Sequence, residues 1–253
     1  MASKSTHFIG SLAKGLKVIE AFGADRPRLA IAEVAALTGL DRAAARRVLL
    51  TLHDLGYASY DGKYFELTPR VLRLGVGALA SLPLSRLAQP WLDQASERIG
   101  QSTSIAILDE LEIVYLARAA QRKVMSIGLM PGSRLPAHCT SMGRVLFAAL
   151  DPEDMAERVA RSILTPRTPT SKIAPEEIVA EIERVRAQGY AVVDQEVEMG
   201  LRSIAVPIFD SKGRVVAALN TGFAALHEAT EQNVKSFLPV LKEVQAGLRR
   251  IIA

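Results

Sequence analysis

Three short helical patterns followed by a hairpin pattern, all within the first 70 residues, constrain this chain more than any other feature. The first apolar pattern of helical period begins after Ser11, and a second, shorter one ends at Gly39. A third follows Asp41, whose carboxylate is suited to accept from free N–H groups at a helix start. Two β-prone runs then flank Asp61-Gly62, a dipeptide typical of tight hairpins. This order of elements predicts a winged helix-turn-helix.

The third helix combines a predicted buried stripe with a basic exposed face. The stripe consists of Ala44, Val48, Leu52 and Leu55. In a helix-turn-helix, the exposed face of the second helix of the motif enters the major groove, and the wing and nearby lysines contact the backbone. We therefore predict that the DNA contacts are made by Lys14, Asp41, Arg42, Ala43, Arg46, Arg47, Lys63 and Tyr64. A solvated helix face and a surface turn are the alternatives for these side chains.

The distribution of charge separates the chain into two parts. The net charge is +4, from 31 Lys and Arg against 27 Asp and Glu. Residues 1–80 hold 11 of the basic and 7 of the acidic residues, so the remainder, with 20 of each, is neutral. A basic module joined to a neutral one suggests that only the first meets a polyanion, although such an excess over 80 residues also arises by chance.

Length and composition indicate two ordinary globular domains. The 253 residues are 49% hydrophobic and 23% charged, which excludes disorder and a disulfide scaffold. The Thr68-Pro69 pair opens a helix that stops before Pro83 and could link two modules or pack within one. The predicted boundaries are residues 1–71 for the winged helix-turn-helix domain, 72–87 for a linker helix and 88–253 for an effector-binding domain.

The C-terminal part shows the pattern of an α+β domain with an antiparallel sheet. Strands are predicted at residues 103–108, 112–118, 124–129, 190–194, 202–209 and 214–221. Helices are predicted at residues 91–99, from 141, from 152, at 176–188 and at 230–252. We expect the helices to cover one side of the sheet, as in a sensor-like domain, and the sequence contains no nucleotide-binding fingerprint.

Polar residues in this domain concentrate at strand ends and at one strand-to-helix junction. The helix that begins at Ser141 offers free N–H groups, which favour an anion such as a carboxylate. A few polar groups around an apolar cleft are typical of a small-molecule pocket. The candidate lining residues are Arg134, His138, Cys139, Thr140, Ser141, Asp194, Ser203, Asn220 and Thr221. For each of them singly, a cap or edge hydrogen bond is the alternative.

Other classes of function are weaker. A thiol hydrolase would use His138 and Cys139, but neighbours in an extended segment point to opposite faces, so no catalytic residue is predicted. The four histidines and one cysteine lack metal-ligand spacing, and no cofactor is expected. A DNA-binding protein without a ligand would leave the neutral domain unexplained. The single cysteine and the absence of a signal or a membrane-spanning stretch favour the cytoplasm.

Several segments along the whole chain resemble the IclR family of bacterial transcriptional regulators. They are SLAKGL (11–16), LDR (40–42), LGY (55–57), LPAHCTSMGR (135–144) and GLRSIAVPI (200–208). The junction at residues 139–141 and the segments 202–207 and 216–220 are similar to the PcaU, PcaR and PobR group, which regulates aromatic-acid catabolism.

This resemblance implies the function and the assembly. A winged-helix domain would bind double-stranded operator DNA as a homodimer or homotetramer. A GAF- or profilin-like domain would bind a small organic acid, such as an aromatic carboxylate of the protocatechuate, 4-hydroxybenzoate or β-ketoadipate pathway. The resemblance places the pocket between the loop ending at Gly143 and the strands of Asp194, Ser203 and Thr221. A regulator of another organic-acid pathway is the alternative, and activation and repression both occur in the family.

Overall fold

A computed structural model describes residues 7–23, 26–75, 83–121, 128–225 and 230–252 of the chain. It divides into two compact units, Met1–Ser81 and Leu82–Ala253. Of the predicted linker helix, residues 72–75 are helical and residues 83–87 open a longer helix, while residues 76–82 lie outside the described residues. Most of the strand predicted at residues 124–129 also lies outside them.

The first unit is a three-helix module with a small sheet. Its elements are α1 (Gly10–Glu20), β1 (Arg28–Leu29), α2 (Ile31–Thr38), α3 (Arg42–Asp54), β2 (Ala58–Tyr60), β3 (Phe65–Leu67) and a 3₁₀ turn (Pro69–Val71). The sheet has the order β1-β3-β2 with antiparallel pairing. Val18, Leu49 and Phe65 are fully buried at its core. The hairpin and the three helices are those of a winged helix-turn-helix, with β1 as a strand that the sequence did not indicate.

The turns of this unit follow from local chemistry. Gly39, which ends α2, has φ +66°, a conformation that favours glycine. Asp41 caps α3 by accepting from the Ala44 N–H at 2.7 Å. The predicted two-residue hairpin turn is wrong, because the loop contains four residues, 61–64. Asp61 Oδ1 accepts from the N–H groups of both Lys63 and Tyr64, which closes this longer loop.

The buried stripe predicted for α3 needs correction, and two apolar residues of α1 are exposed. In α3, Ala45 and Leu49 are fully buried, whereas Leu55 is 53% exposed. In α1, Leu12 is 60% and Leu16 is 48% exposed, although their helical spacing is correct. Leu12 and Leu16 therefore lie outside the core of this unit, to which α1 contributes Val18 and Ile19.

The second unit is built on a six-stranded antiparallel sheet. Its strands are β4 (Ser102–Asp109), β5 (Glu112–Ala119), β6 (Arg134–Pro136), β7 (Ala191–Asp194), β8 (Leu201–Phe209) and β9 (Val215–Ala224). Their spatial order is β6-β5-β4-β9-β8-β7. The helices are α4 (Pro83–Ile99), α5 (Ser141–Ala148), α6 (Pro152–Arg161), α7 (Pro175–Gln188) and α8 (Thr230–Arg249).

Helices cover both faces of this sheet, so the expectation of helices on one side is wrong. Along β8, Ala205 packs with α5, α6 and α7, whereas Ile204 and Val206 pack with α4 and α8. Successive strand residues point to opposite faces, and here both sets are apolar because each face has a helical cover. The result is a three-layer α+β domain. Among the described residues, no helix combines the length and apolar character needed to cross a membrane.

Candidate functional site

The predicted DNA-binding side chains are exposed on the first unit, apart from Tyr64, which is half-buried. Arg42, Ala43, Arg46 and Arg47 are exposed on the first turns of α3. At the wing tip, Lys63 Nζ lies 4.9 Å and Arg28 Cζ 5.3 Å from the centre of the Tyr64 ring. Arg28 also pairs with Asp61. The wing therefore presents two cations whose positions are set by an aromatic ring and a carboxylate.

Asp41, one of the predicted DNA-binding residues, has a structural role as the N-cap of α3. Its hydrogen bond with the Ala44 N–H, supported by the charges of Lys14 and Arg47, holds the pKa of its carboxyl below the usual value. A carboxylate used as a cap stabilises α3 and carries no attraction for phosphate.

Lys14 and Arg47 also line a groove of about 840 Å³ beside the exposed leucines of α1. This α1 groove includes Leu12, Leu16 and Leu55. Exposed apolar surface of this kind typically marks a protein contact.

In the second unit, a small cavity lies at the start of α5. Its volume is about 30 Å³, the space of roughly one water molecule. This effector cavity is lined by Tyr115, Arg118, Leu129, Leu135, Thr140, Ser141, Met142, Val197, Leu201, Ser203, Asn220 and Gly222. Ser141 Oγ and Asn220 Oδ1 are buried without a hydrogen-bond partner among the described residues. Buried polar atoms without partners are costly, and each of them would be satisfied by a bound polar group.

Two further polar residues of the effector cavity come from β5. Arg118 Nη1 donates to Ser104 Oγ at 3.0 Å, and burial lowers the pKa of its guanidinium. Burial also raises the pKa of the Tyr115 hydroxyl to about 12. The cavity therefore contains a cation in a partly desolvated environment, where an arriving carboxylate is bound more strongly than in water.

Sequence reasoning missed both residues of β5. The available signal was an arginine at the end of a run of otherwise apolar strand residues, Ile113 to Ala117. Charged side chains are rare in such strands, so Arg118 could have been singled out.

Other predicted residues of the α5 junction have structural contacts. Thr140 Oγ1 accepts from the Gly143 N–H at 3.1 Å and so caps the helix. A Cβ atom at Gly143 would lie 2.1 Å from the backbone oxygen of Ala137, so only glycine permits this close approach. Cys139 is buried, and desolvation raises the pKa of its thiol to about 11, which keeps it protonated at neutral pH.

The remaining strand residues do not line the effector cavity. Asp194 accepts from Arg202 Nε at 2.9 Å, and Thr221 Oγ1 donates to the Ser102 carbonyl at 3.2 Å. Of the predicted effector residues, the cavity brings together Thr140, Ser141, Ser203 and Asn220.

Arg134 and His138 belong to a second cavity, of about 730 Å³. This second cavity is lined by Asp109, Glu110, Leu111, Glu112, Arg134, Pro136, His138, Ser162, Ile163, Thr165, Pro166, Arg167 and Val197. Arg134 forms ion pairs of 2.7 Å with Asp109 and Glu112. The sequence analysis placed Arg134 among the effector residues, but in the structure Arg134 lies outside the effector cavity and its guanidinium pairs with these two carboxylates.

A buried ion pair fixes the loop between β7 and β8 to α5. Arg144 donates through both terminal nitrogens to Glu196 at 2.7 Å and through Nε to the His138 carbonyl at 3.0 Å. Glu196 also accepts from the Lys172 N–H at 3.1 Å. Val197, the next residue, lines both cavities, so this ion pair holds the wall between them.

The described residues contain no group of three or more His, Cys, Asp or Glu side chains that could hold a metal ion.

A winged helix-turn-helix with a basic exposed helix, on one chain with a sheet domain that has a buried polar cavity, defines a DNA-binding transcriptional regulator with a sensor domain. Comparison with known sequences gives the family. The profile of the IclR helix-turn-helix domain matches residues 11–62, and that of the bacterial transcriptional regulator IclR C-terminal domain matches residues 76–248. The chain belongs to the IclR family of transcriptional regulators.

Two regulators and one solved structure of the family are similar to this chain over most of its length. The Pca regulon regulatory protein of Pseudomonas putida is 46% identical, over 92% of this chain and 81% of its own. The p-hydroxybenzoate hydroxylase transcriptional activator of Acinetobacter baylyi is 37% identical, over 98% and 94%. An IclR homolog of Microbacterium hydrocarbonoxydans, solved in complex with 4-hydroxybenzoate, is 25% identical over 95% and 100%, with a TM-score of 0.76. The two sequence relatives are named as a regulatory protein and as a transcriptional activator.

Proposed function

We propose that this protein regulates an operon for the catabolism of an aromatic acid and that it responds to an aromatic carboxylate of the protocatechuate or 4-hydroxybenzoate class. The observation that carries the proposal is a pair of buried polar atoms, Ser141 Oγ and Asn220 Oδ1, which have no hydrogen-bond partner in the described part of the chain and share a cavity with Arg118. The names and the ligand of the relatives support the same chemistry. Operator DNA lies in the bacterial cytoplasm, so we place the protein there.

Each polar group of the effector cavity suits one part of such a ligand. A carboxylate would accept from Ser141 and from the Arg118 guanidinium, and the free N–H groups at the start of α5 favour negative charge there. A phenolic hydroxyl would donate to Asn220 Oδ1, which needs a donor. Apolar residues such as Met142 and Leu201 would contact the ring.

The small volume of the cavity links effector binding to a conformational change. About 30 Å³ holds roughly one water molecule, so a benzoate-sized ligand has to widen the cavity. The ligand would thus favour a different arrangement of the domain, and it would bias DNA binding through the segment predicted as a linker, residues 72–87. By linkage, operator DNA would change effector affinity by the same factor. Calorimetry that gave equal effector affinity with and without operator DNA would contradict this coupling.

The proposed ligand is tested by calorimetric titration of 4-hydroxybenzoate and benzoate. We expect Arg118→Met to weaken both ligands by about tenfold or more, because a charge-assisted hydrogen bond is lost. Asn220→Leu should weaken 4-hydroxybenzoate selectively, since benzoate lacks the hydroxyl. Arg214→Met, at an arginine paired with Asp210 outside the cavity, is the matched control. Equal affinities for the Arg118→Met variant and the unaltered chain would exclude this site.

The first unit would bind operator DNA as a dimer. The α1 groove exposes Leu12 and Leu16, an apolar face that a second copy of the unit would cover. Two α3 helices would then enter successive major grooves of a pseudo-palindromic operator, with half-sites about one helical turn or a multiple apart. Sedimentation of a Leu12→Glu/Leu16→Glu variant should show dissociation to a smaller species. An unchanged sedimentation coefficient would exclude this interface and leave the dimer or tetramer to other contacts.

A further inference from the structure

We propose that the second cavity is a separate binding site for an organic carboxylate, with Arg167 and His138 as the residues that bind the charged group. The proposal does not depend on the effector cavity being occupied, because the two cavities share only Val197. With about 730 Å³, the second cavity has the size typical of small-molecule sites.

The charges around this cavity leave Arg167 available for a ligand. Asp109 and Glu112 pair with Arg134, and Glu110 pairs with Arg161 at 3.6 Å. Among the described residues, Arg167 forms no ion pair, and its Nε donates only a long hydrogen bond, 3.4 Å, to the Val197 carbonyl. Arg167 is exposed at this site, so its guanidinium is free of competing carboxylates from the described residues and can pair with an arriving anion.

His138 adds a second polar group to the same end of the cavity. The residue is 2% exposed, and its Nε2 is buried without a hydrogen-bond partner among the described residues. Burial, and then the positive charges of Arg144 and Arg167, lower the pKa of the imidazole. A neutral imidazole can donate one N–H to a carboxylate, and the charge of Arg167, which lines the same cavity, attracts the anion.

The other lining residues define the body of the ligand. Leu111, Pro136, Ile163 and Val197 are apolar, and Ile163 is largely exposed. A carboxylate with an apolar body, such as an aromatic monocarboxylate, fits this combination better than a sugar or a phosphate, which would leave the apolar wall without contact.

The two cavities lie on opposite sides of one segment. Leu135, Thr140 and Ser141 line the effector cavity, whereas Pro136 and His138 line the second. Adjacent residues of a strand point to opposite faces, which explains why Leu135 of β6 lines one cavity and its neighbours Arg134 and Pro136 line the other, while residues 137–140 form a turn. A ligand in the second cavity would therefore contact the wall of the effector cavity without entering it.

The test is a titration of 4-hydroxybenzoate into the full-length chain, followed by calorimetry and, for weak binding, by ligand-observed NMR. We expect two molecules per chain. Arg167→Met should weaken one of them by about tenfold or more and leave the other within about threefold. Arg118→Met should do the reverse. Arg98→Met, at an exposed arginine that pairs with Glu243 and lines neither cavity, is the control.

The outcomes separate this site from the proposed effector site. One molecule per chain that depends on Arg118 and not on Arg167 would overturn the second site and leave the proposed function intact. One molecule that depends on Arg167 alone would support the second site and overturn the proposed effector cavity. A ¹⁵N-histidine spectrum adds a direct readout, because the His138 ring signal should shift on binding in the Arg118→Met variant. The absence of that shift would overturn the assignment of His138.

Discussion

Removal of the Glu196 carboxylate should destabilise the second unit strongly, because its partner cannot leave the interior. The Arg144 side chain is 1% and the Glu196 side chain 4% exposed, and the two share a pair of 2.7 Å hydrogen bonds. Glu196→Ala would leave a buried guanidinium without its counter-charge. Breaking a buried ion pair in this way costs about 3–5 kcal/mol. With a urea m-value of about 2 kcal/mol/M, the unfolding midpoint should fall by about 2 M.

Trp91 makes the measurement specific to this unit. It is the one tryptophan of the chain, lies on α4 and is partly buried against the core cluster formed by α4, α8 and the sheet. Its fluorescence therefore reports unfolding of the second unit alone. The matched control is Glu243→Ala, which breaks a pair of the same 2.7 Å length with Arg98, but at the surface, where solvent screens it. If Glu196→Ala moved the midpoint no further than Glu243→Ala, the structural role given to the buried pair would be refuted.

Three other predictions concern packing, titration and DNA recognition. Gly143→Ala should lower the melting temperature by many degrees, because the added Cβ atom would lie 2.1 Å from the backbone oxygen of Ala137. Gly128→Ala is the control, since a Cβ atom there meets no atom within 4 Å. Equal melting temperatures for the two variants would contradict the close packing at Gly143. The raised pKa of Cys139 means that the folded chain retains a proton that the unfolded chain loses above about pH 9, so stability should fall from there to about pH 11. Denaturation at pH 8 and pH 10 should show a smaller fall in a Cys139→Ala variant. Arg46→Ala should cost roughly 1–3 kcal/mol of operator binding and relax specificity, while Lys63→Ala should weaken all sites alike and lower the salt slope by about one, both measured by fluorescence anisotropy. Unchanged operator affinity and specificity in Arg46→Ala would remove α3 as the recognition helix.

Local signals in the sequence predicted most elements of this fold. Asp41 and Thr140 are capping residues whose partners lie three residues away, so the chain itself contains the whole interaction. The strands β8 and β9 could also be predicted from the sequence, since they are apolar runs joined by a short polar turn. The prediction was less accurate where an element has two apolar faces, because the number of covering layers is decided by distant segments.

The candidate site shows the same limit. Arg144 and Glu196 are 52 residues apart in sequence, and nothing near either one indicates the other. Arg134 and His138 line a different cavity from Thr140 and Ser141, and this division depends on tertiary packing that the local sequence does not contain. The leucines of α1 are a third case, since helical spacing predicts an apolar face but does not name what covers it.

The exposed leucines of α1, Leu12 and Leu16, have a consequence for how operator occupancy depends on protein concentration. If two copies must meet through the α1 groove before DNA is bound, then operator occupancy below the dimer dissociation constant rises with the square of protein concentration. A twofold change in expression would then change occupancy about fourfold at low levels. Leu12 and Leu16 would thus set how sharply the regulator responds to its own abundance, independently of any effector.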